Sequence, residues 1–223
     1  MKRQGKILTR VSMVAASFIV VSLFGCGSGN SDFRLLSTSF VSGAALPADH
    51  SCEAKEFGQG VSPELHWDRA PKGTKSYAIV FKDTSLEAAL PNRAFHWAIW
   101  DIPASVSNIP KGLPAGEPTG ALAGATHLSA GPGGGAAYFG PCPSWETACP
   151  VSPARLNDSY SFTVYAFDVE KVELPADDPN IKNRVRELEA YFEAIALDKA
   201  VLKTTSDAAP SVAPTFCPVP AAT

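Results

Sequence analysis

Ser76-Tyr77-Ala78-Ile79-Val80-Phe81-Lys82-Asp83 is the stretch whose reading decides the fold. It is apolar at nearly every position except its ends, the pattern of a central β-strand buried on both faces. Two more segments share that character: Ala94-Phe95-His96-Trp97-Ala98-Ile99-Trp100-Asp101-Ile102-Pro103, and Tyr160-Ser161-Phe162-Thr163-Val164-Tyr165-Ala166-Phe167-Asp168. Strict alternation in the first of these puts Phe95, Trp97 and Ile99 on one face and His96 and Ala98 on the other. Upstream, Arg34 to Phe40 reads as a first strand, followed by a Gly/Pro-punctuated loop to Ser62. Leu86 to Arg93 reads as a loop or a single helical turn. Residues 110–137 are rich in Gly, Pro and Ala and form the longest loop, a length that tends to be functional or mobile. Within it, Gly131-Pro132-Gly133-Gly134-Gly135 lacks the Lys-Ser/Thr of a phosphate loop and precedes no helix pattern, so it reads as a flexible turn.

One helix is legible. Asp178 suits its cap and Pro179 its first position. Ile181, Val185, Leu188, Phe192 and Ile195 then recur at helical spacing, a face that should pack on the sheet. Several strands and one C-terminal helix predict a mainly β domain of two packed antiparallel sheets with peripheral loops.

The polar residues on these strands are the candidates for function. Asp83 ends its strand, where aspartate most often forms a turn. His96 lies on an aromatic-rich strand, where a core histidine bonded to a carbonyl is the bland alternative. Gly140-Pro141-Cys142-Pro143 is a rigid turn whose glycine would let backbone approach a ligand and offer an N–H to an anion. Tyr160 begins its strand, and its hydroxyl could complete a donor set. Trp67, Trp97 and Trp100 read as core or pocket wall, with Trp97 and Pro143 the wall candidates. A carboxylate, an imidazole, a Gly-Pro turn and a phenol at one sheet edge would make a small polar pocket with apolar walls, suited to a small anion. No Gly-x-Ser-x-Gly occurs and no serine is placed as a nucleophile, so no catalytic residue is assigned, although Asp83 and His96 could form a base-and-orienter pair.

The ends bound where the chain works. Lys2, Arg3, Lys6 and Arg10 precede a 14-residue apolar run, Val11 to Phe24, which is a secretory signal by charge and length. The run closes on Leu23-Phe24-Gly25-Cys26, which is similar to a bacterial lipoprotein signal with Cys26 as the acylated residue. Residues 1–25 are therefore expected to be removed, with 26–33 as a flexible tether, 34–205 as the domain and 206–223 as a tail tethered by a disulfide. Gly27 lacks the aspartate that retains lipoproteins in the inner membrane, which favours the outer membrane where the cell has one. Without the four leader cations, 15 Lys and Arg face 22 Asp and Glu, a formal charge of −7. No basic stripe survives, which argues against nucleic acid and against an electrostatic grip on anionic lipid. Beyond Cys26, the even count of Cys52, Cys142, Cys149 and Cys217 in an exported chain reads as two disulfides. Three connectivities exist; Cys142–Cys149 is the natural local pair, with Cys52–Cys217 then tying down the tail. No Cys-x-x-Cys occurs and the histidines are scattered at 50, 66, 96 and 127, so no metal site and no cofactor are expected.

These segments, in this order, resemble the phosphatidylethanolamine-binding protein family, whose eukaryotic branch includes the Raf kinase inhibitor proteins, and most closely its bacterial YbhB/YbcL-type branch. Cys52 and the stretch Gly60-Val61-Ser62-Pro63-Glu64-Leu65-His66-Trp67 through Pro71-Lys72-Gly73-Thr74-Lys75-Ser76 resemble that family's opening motif. Asp83, His96-Trp97, Gly140-Pro141-x-Pro143 and Tyr160 follow. The resemblance covers roughly residues 35–205. It implies a β-sandwich with peripheral helices, an anion pocket lined by His96, and Asp83 as the first aspartate of an Asp-Pro-Asp-x-Pro motif. Here Thr84 stands for the proline and Ser85 for the second aspartate. Asp158 stands where the family usually has a histidine, so either it points away or the ligand is not a phosphate. Glu193-Ala194 replaces a Gly-His pair near the end.

The resulting expectation is an exported, lipid-anchored domain that binds a small anionic or zwitterionic, phosphate-bearing or phospholipid-like ligand through Asp83, His96, Gly140, Pro141 and Tyr160, regulating rather than catalysing. The alternatives are an inhibitor that binds a protease or kinase through the loops at 110–149, and a hydrolase using Asp83 and His96.

Overall fold

The computed structural model describes residues 32–53, 55–131, 134–149, 155–173, 181–215 and 217, with backbone alone at 181–184. Among these residues eight strands and one α-helix follow in the order β1 (Arg34–Leu36), β2 (Leu65–Asp68), β3 (Ser76–Asp83), β4 (Phe95–Pro103), β5 (Asn108–Ile109), β6 (Thr126–Ser129), β7 (Asp158–Phe167), α1 (Ile181–Ile195) and β8 (Asp198–Ser206). Two antiparallel sheets result, one of three strands in the order β1-β2-β5 and one of five in the order β6-β4-β3-β7-β8. As its apolar run predicts, β3 is central.

Between the sheets lies the larger core. Leu35, Leu65, Trp67 and Ile109 of the small sheet meet Tyr77, Ile79, Phe81, Trp97, Ile99 and Phe162 of the large one. The outer face of the large sheet, with Val80, Ala98, Tyr165 and Phe167, is covered by Val185, Leu188 and Phe192 of α1, all three fully buried. Burying each such side chain contributes about 1.5–3 kcal/mol, enough to hold a single helix against the sheet. The expected cap at Asp178 and Pro179 lies outside the described residues. A polar seam borders the same face: Lys82 Nζ donates to Glu87 (2.7 Å) and to the buried Glu189 (2.9 Å), and the Tyr165 hydroxyl donates to Glu193 (2.9 Å). Glu193 thus ties the helix to the sheet.

Several expectations change in detail. The first strand stops at Leu36 instead of running to Phe40, because the Ser37 hydroxyl turns to the Glu64 carbonyl (2.5 Å) and the Thr38 amide to the Glu64 carboxylate (2.7 Å). The long loop at 110–137 contains the edge strand β6. The helix is not the last element: β8 follows and pairs with β7 along its length. Strict alternation also fails in β4. Phe81 faces Trp97 while Lys82 faces Phe95, so His96 is an extra, bulged residue. Trp97 and Ile99 therefore point into the interior, whereas Phe95, with Ala98 and Trp100, points towards α1.

The disulfide pairing differs from the local pairing expected. Cys52 bonds Cys142 and Cys149 bonds Cys217, with Cα–Cα separations of 5.4 and 5.5 Å. The segment between Cys142 and Cys149 closes on itself through a turn, Trp145 N–H to Cys142 O at 3.1 Å, and a 3-10 helix, Trp145–Ala148. Cys142 is brought to Cys52 by an amide bond from Cys52 to the Pro141 carbonyl (3.1 Å).

Candidate functional site

Three strands deliver polar side chains to one rim of the large sheet. Asp83, the last residue of β3, lies directly opposite Tyr160 of β7. The bulge in β4 re-aims His96 towards the same rim, where its ring centroid is 5.2 Å from Phe81 and 5.4 Å from Tyr160. A cavity of about 590 Å3 opens over this rim. Asp83, His96, Asp158 and Tyr160 form its floor, and Phe57, Leu86, Phe95, Phe139, Trp145 and Leu156 its walls. The exposed Arg93 and Glu146 stand at its mouth.

Asp83 is only 1% exposed. One carboxylate oxygen accepts from the amides of Ser85 (2.8 Å) and Leu86 (3.0 Å). The Tyr160 hydroxyl bonds the carboxylate as well, and Asp158 is close enough to share a hydrogen bond with it. Burial first, and then the Asp158 charge, push the Asp83 carboxyl up to about 6. Burial also raises Asp158 above the usual aspartate range. Two carboxyls in one hydrogen-bonded pair titrate as a unit and favour a shared proton. Tyr160 is raised well above an ordinary phenol, by burial and then by the two adjacent carboxylates, so it stays a neutral hydroxyl. His96 Nδ1 faces the Phe139 carbonyl at 3.2 Å and must donate to it, since a carbonyl only accepts. The partner at that nitrogen is a backbone carbonyl and not Asp83.

This architecture has known counterparts. A family model described as phosphatidylethanolamine-binding protein matches residues 36–207, well over half of the chain. The chain belongs to the phosphatidylethanolamine-binding protein family. Among curated relatives, YbhB of Escherichia coli (strain K12) is 29% identical over 145 residues, which is 63% of this chain and 82% of YbhB. YbcL of the same strain is 31% identical over 151 residues, 63% of this chain and 71% of YbcL. LppC of Mycobacterium tuberculosis (strain H37Rv), which carries a lipoprotein name, is 29% identical over 177 residues, 68% of this chain and 76% of LppC. The crystal structure of E. coli YbcL superposes with a TM-score of 0.56 at 22% identity, covering 78% of this chain and 98% of that one, and so shares the fold.

Within the family's motifs, the structure sorts the candidate residues. Asp83, His96, Tyr160 and Pro143 line the cavity; Gly140, Pro141 and Trp97 do not. The Gly140 N–H donates to the Gly58 carbonyl (3.2 Å) and does not serve an anion. Glycine is needed there because a Cβ would lie 2.6 Å from the Gln59 carbonyl oxygen, where the two loops touch. That contact sets Phe57 against Phe139, ring centroids 5.7 Å apart, as adjoining pieces of wall. Pro141 supplies the carbonyl beside the Cys52–Cys142 bridge. Trp97 is fully buried on the interior face with its Nε1 donating to His127 Nδ1 (3.4 Å); it is core, not wall, because the bulge separates its face from that of Phe95.

Ser85, in place of the motif's second aspartate, faces away from the ligand space. Its hydroxyl accepts from the Ser159 amide (2.8 Å) and ties the β3 end to the β7 start. Asp158 lies in the pocket, not away from it. An acid has thus been lost at 85 and gained at 158. The loop-borne Phe57, Arg93, Phe139 and Trp145 were not singled out from sequence; isolated aromatics beside glycine, as in Phe57-Gly58 and Phe139-Gly140, are the signal that was there to read.

Proposed function

We propose that this protein is an exported binding domain, tethered to a bacterial membrane by an acylated Cys26, that takes a small anionic or zwitterionic, phosphate-bearing ligand in the Asp83–His96–Asp158–Tyr160 cavity and regulates by binding it. The observation that carries this reading is the cavity itself: about 590 Å3 of largely apolar wall converging on a few fixed polar groups from three strands. Arg93 at its mouth supplies a cation for a phosphate, and the apolar wall suits the hydrocarbon part of an amphiphile. The inhibitor reading would draw on Leu90 and Leu156, which are 45% and 52% exposed. Both also line the cavity, so a ligand's apolar part accounts for them without a protein partner.

Thermal unfolding of the full-length protein in detergent tests the reading. At a concentration about a hundred times Kd a ligand stabilises by about 2.7 kcal/mol, a rise in Tm of about 5–10 °C for a chain of this size. Aminopropyl phosphate, a small zwitterion, should give such a rise, and His96→Gln should reduce it; no shift with any phosphate-bearing amphiphile would refute the assignment. The anchor is supported by the leader, by Cys26 and by the likeness to LppC. Cys26→Ser should move the protein from the membrane fraction to the soluble fraction, and Gly27 favours the outer membrane as the destination. Unchanged membrane association would contradict the anchor.

A further inference from the structure

The two disulfides differ in what shields them. Cys52 is fully buried and Cys142 is 6% exposed, and Ala208, Phe57 and Trp145 pack on that pair. In the other pair Cys149 is also 6% exposed, but Cys217 is only partly buried. Thiol–disulfide exchange begins with a thiolate reaching one sulfur, so access decides which bridge reacts first. Cys217 is the open member of the four.

The bridges also differ in what they hold. Beyond β8 the chain runs along residues 53–55. The Asp207 carbonyl accepts from Arg155 Nε (2.8 Å), the Ala208 carbonyl from the Ser144 amide (3.0 Å), and the Ser211 amide donates to the Lys55 carbonyl (2.8 Å). Among the described residues, Ser211 makes the last backbone hydrogen bond from this tail to the domain. Further on, the Cys217 amide closes a turn onto the Pro214 carbonyl (3.0 Å). Pro214 is buried, while Val212, Ala213 and Thr215 are exposed. Past Ser211 the described tail is thus held by one buried proline and one covalent bond.

We propose that Cys149–Cys217 is a thiol–disulfide exchange site, opened in the folded protein by a dithiol reductant, and that opening it frees the tail beyond Ser211 while Cys52–Cys142 stays closed. One thiolate of the dithiol attacks Cys217 Sγ. The bond to Cys149 Sγ breaks, and Cys149 leaves as a thiolate that takes a proton from water. The second thiol of the reductant then attacks its own sulfur in the mixed disulfide and expels the Cys217 thiolate, which is protonated in turn. The protein gains two electrons and two protons, and the reductant leaves as a disulfide. The bridge beside Phe57 and Trp145 is untouched, so the redox state of the surroundings is registered by the tail and not by the cavity wall. The exchange site stands independently of any ligand in the cavity.

Dithiothreitol added to the folded full-length protein in detergent at pH 8 tests this, with samples quenched by alkylation and mapped by mass spectrometry. Cys149 and Cys217 should gain label about tenfold faster than Cys52 and Cys142, with the circular dichroism unchanged. The alkylated product, freed of reductant, is then treated with chymotrypsin and scored for loss of residues 217–223 by cleavage after Phe216. That cleavage should be about tenfold faster than in the oxidised protein. The Cys149→Ala/Cys217→Ala variant, never exposed to reductant, should be cleaved like the alkylated protein. Equal labelling of the two pairs, earlier labelling of Cys52 and Cys142, or labelling that appears only as the circular dichroism is lost would overturn the exchange site. Selective labelling with unchanged cleavage in both the alkylated protein and the variant would overturn the release of the tail.

Discussion

Asp83→Asn should stabilise the protein at pH 8 by about 1–3 kcal/mol and leave its stability at pH 4 almost unchanged. The folded Asp83 carboxyl sits at about 6, above its ordinary 3.8. Between those values the folded state holds a proton that the unfolded state has released, so stability falls as pH rises through this window. Above about pH 6 both states are ionised and the full cost applies, on the order of 3 kcal/mol at about 1.36 kcal/mol per unit. Asparagine removes the titration and keeps the geometry. Its carbonyl oxygen can still accept from Ser85 and Leu86, and its amide gives Asp158 a donor. Urea unfolding across pH 4–8, on the Cys26→Ser chain, reads the result directly. The wild type should lose stability across the window and the variant should lose much less, with a remainder from Asp158, whose pKa is also raised. A variant less stable than wild type at pH 8, or one with the same pH slope, would show that Asp83 does not carry the cost assigned to it.

The second large effect lies in the Cys52–Cys142 bridge, which closes a loop of 90 residues. In the chain-entropy account such a loop is worth about 4–5 kcal/mol. Cys149–Cys217, at a separation of 68, should be worth nearly as much. The two differ in what else they hold. Cys52 and Cys142 are buried with Ala208 in a small cluster against which Phe57 and Trp145 pack, and Phe57, Trp145 and Cys142 all line the cavity. Replacing both Cys52 and Cys142 by alanine should therefore lower the urea midpoint and also weaken ligand binding. Replacing Cys149 and Cys217 should lower the midpoint with a smaller effect on binding. Non-reducing peptide mapping by mass spectrometry should find these two linkages. A Cys142–Cys149 linked peptide would overturn the pairing and with it the assigned support for the wall.

Both predictions depend on features that period and composition hide. The buried strand at 76–83 and the helical face of Val185, Leu188 and Phe192 were legible because one repeating physical demand, burial, shapes them. His96 lay on a legible strand, but the bulge that aims it did not show, since one inserted residue leaves the local composition untouched and reverses the face of Phe95. Strand β8 was not singled out because its inward positions include Thr204 and Ser206 beside Ala200 and Leu202, which blurs the alternation. Disulfide partners depend on which loops meet across the fold, and local spacing pointed to the wrong pair. In the site, strand-borne Asp83, His96 and Tyr160 could be named in advance. Apart from Phe95 of β4, the wall lies outside the strands, and those members have no periodicity to betray them. Asp158 was visible as a misfit; only its position beside Asp83 turns the misfit into an acidic floor.

That floor is open to direct measurement by following the carboxyl-carbon NMR resonances of Asp83 and Asp158 from pH 4 to 9, with and without saturating aminopropyl phosphate. Without ligand the two should titrate as a coupled pair, with Asp83 showing a midpoint near 6. With ligand both midpoints should move, because a group seated over the floor changes the burial and the charge around both carboxyls. Midpoints that do not move while the ligand is bound would contradict a ligand site over Asp83 and Asp158.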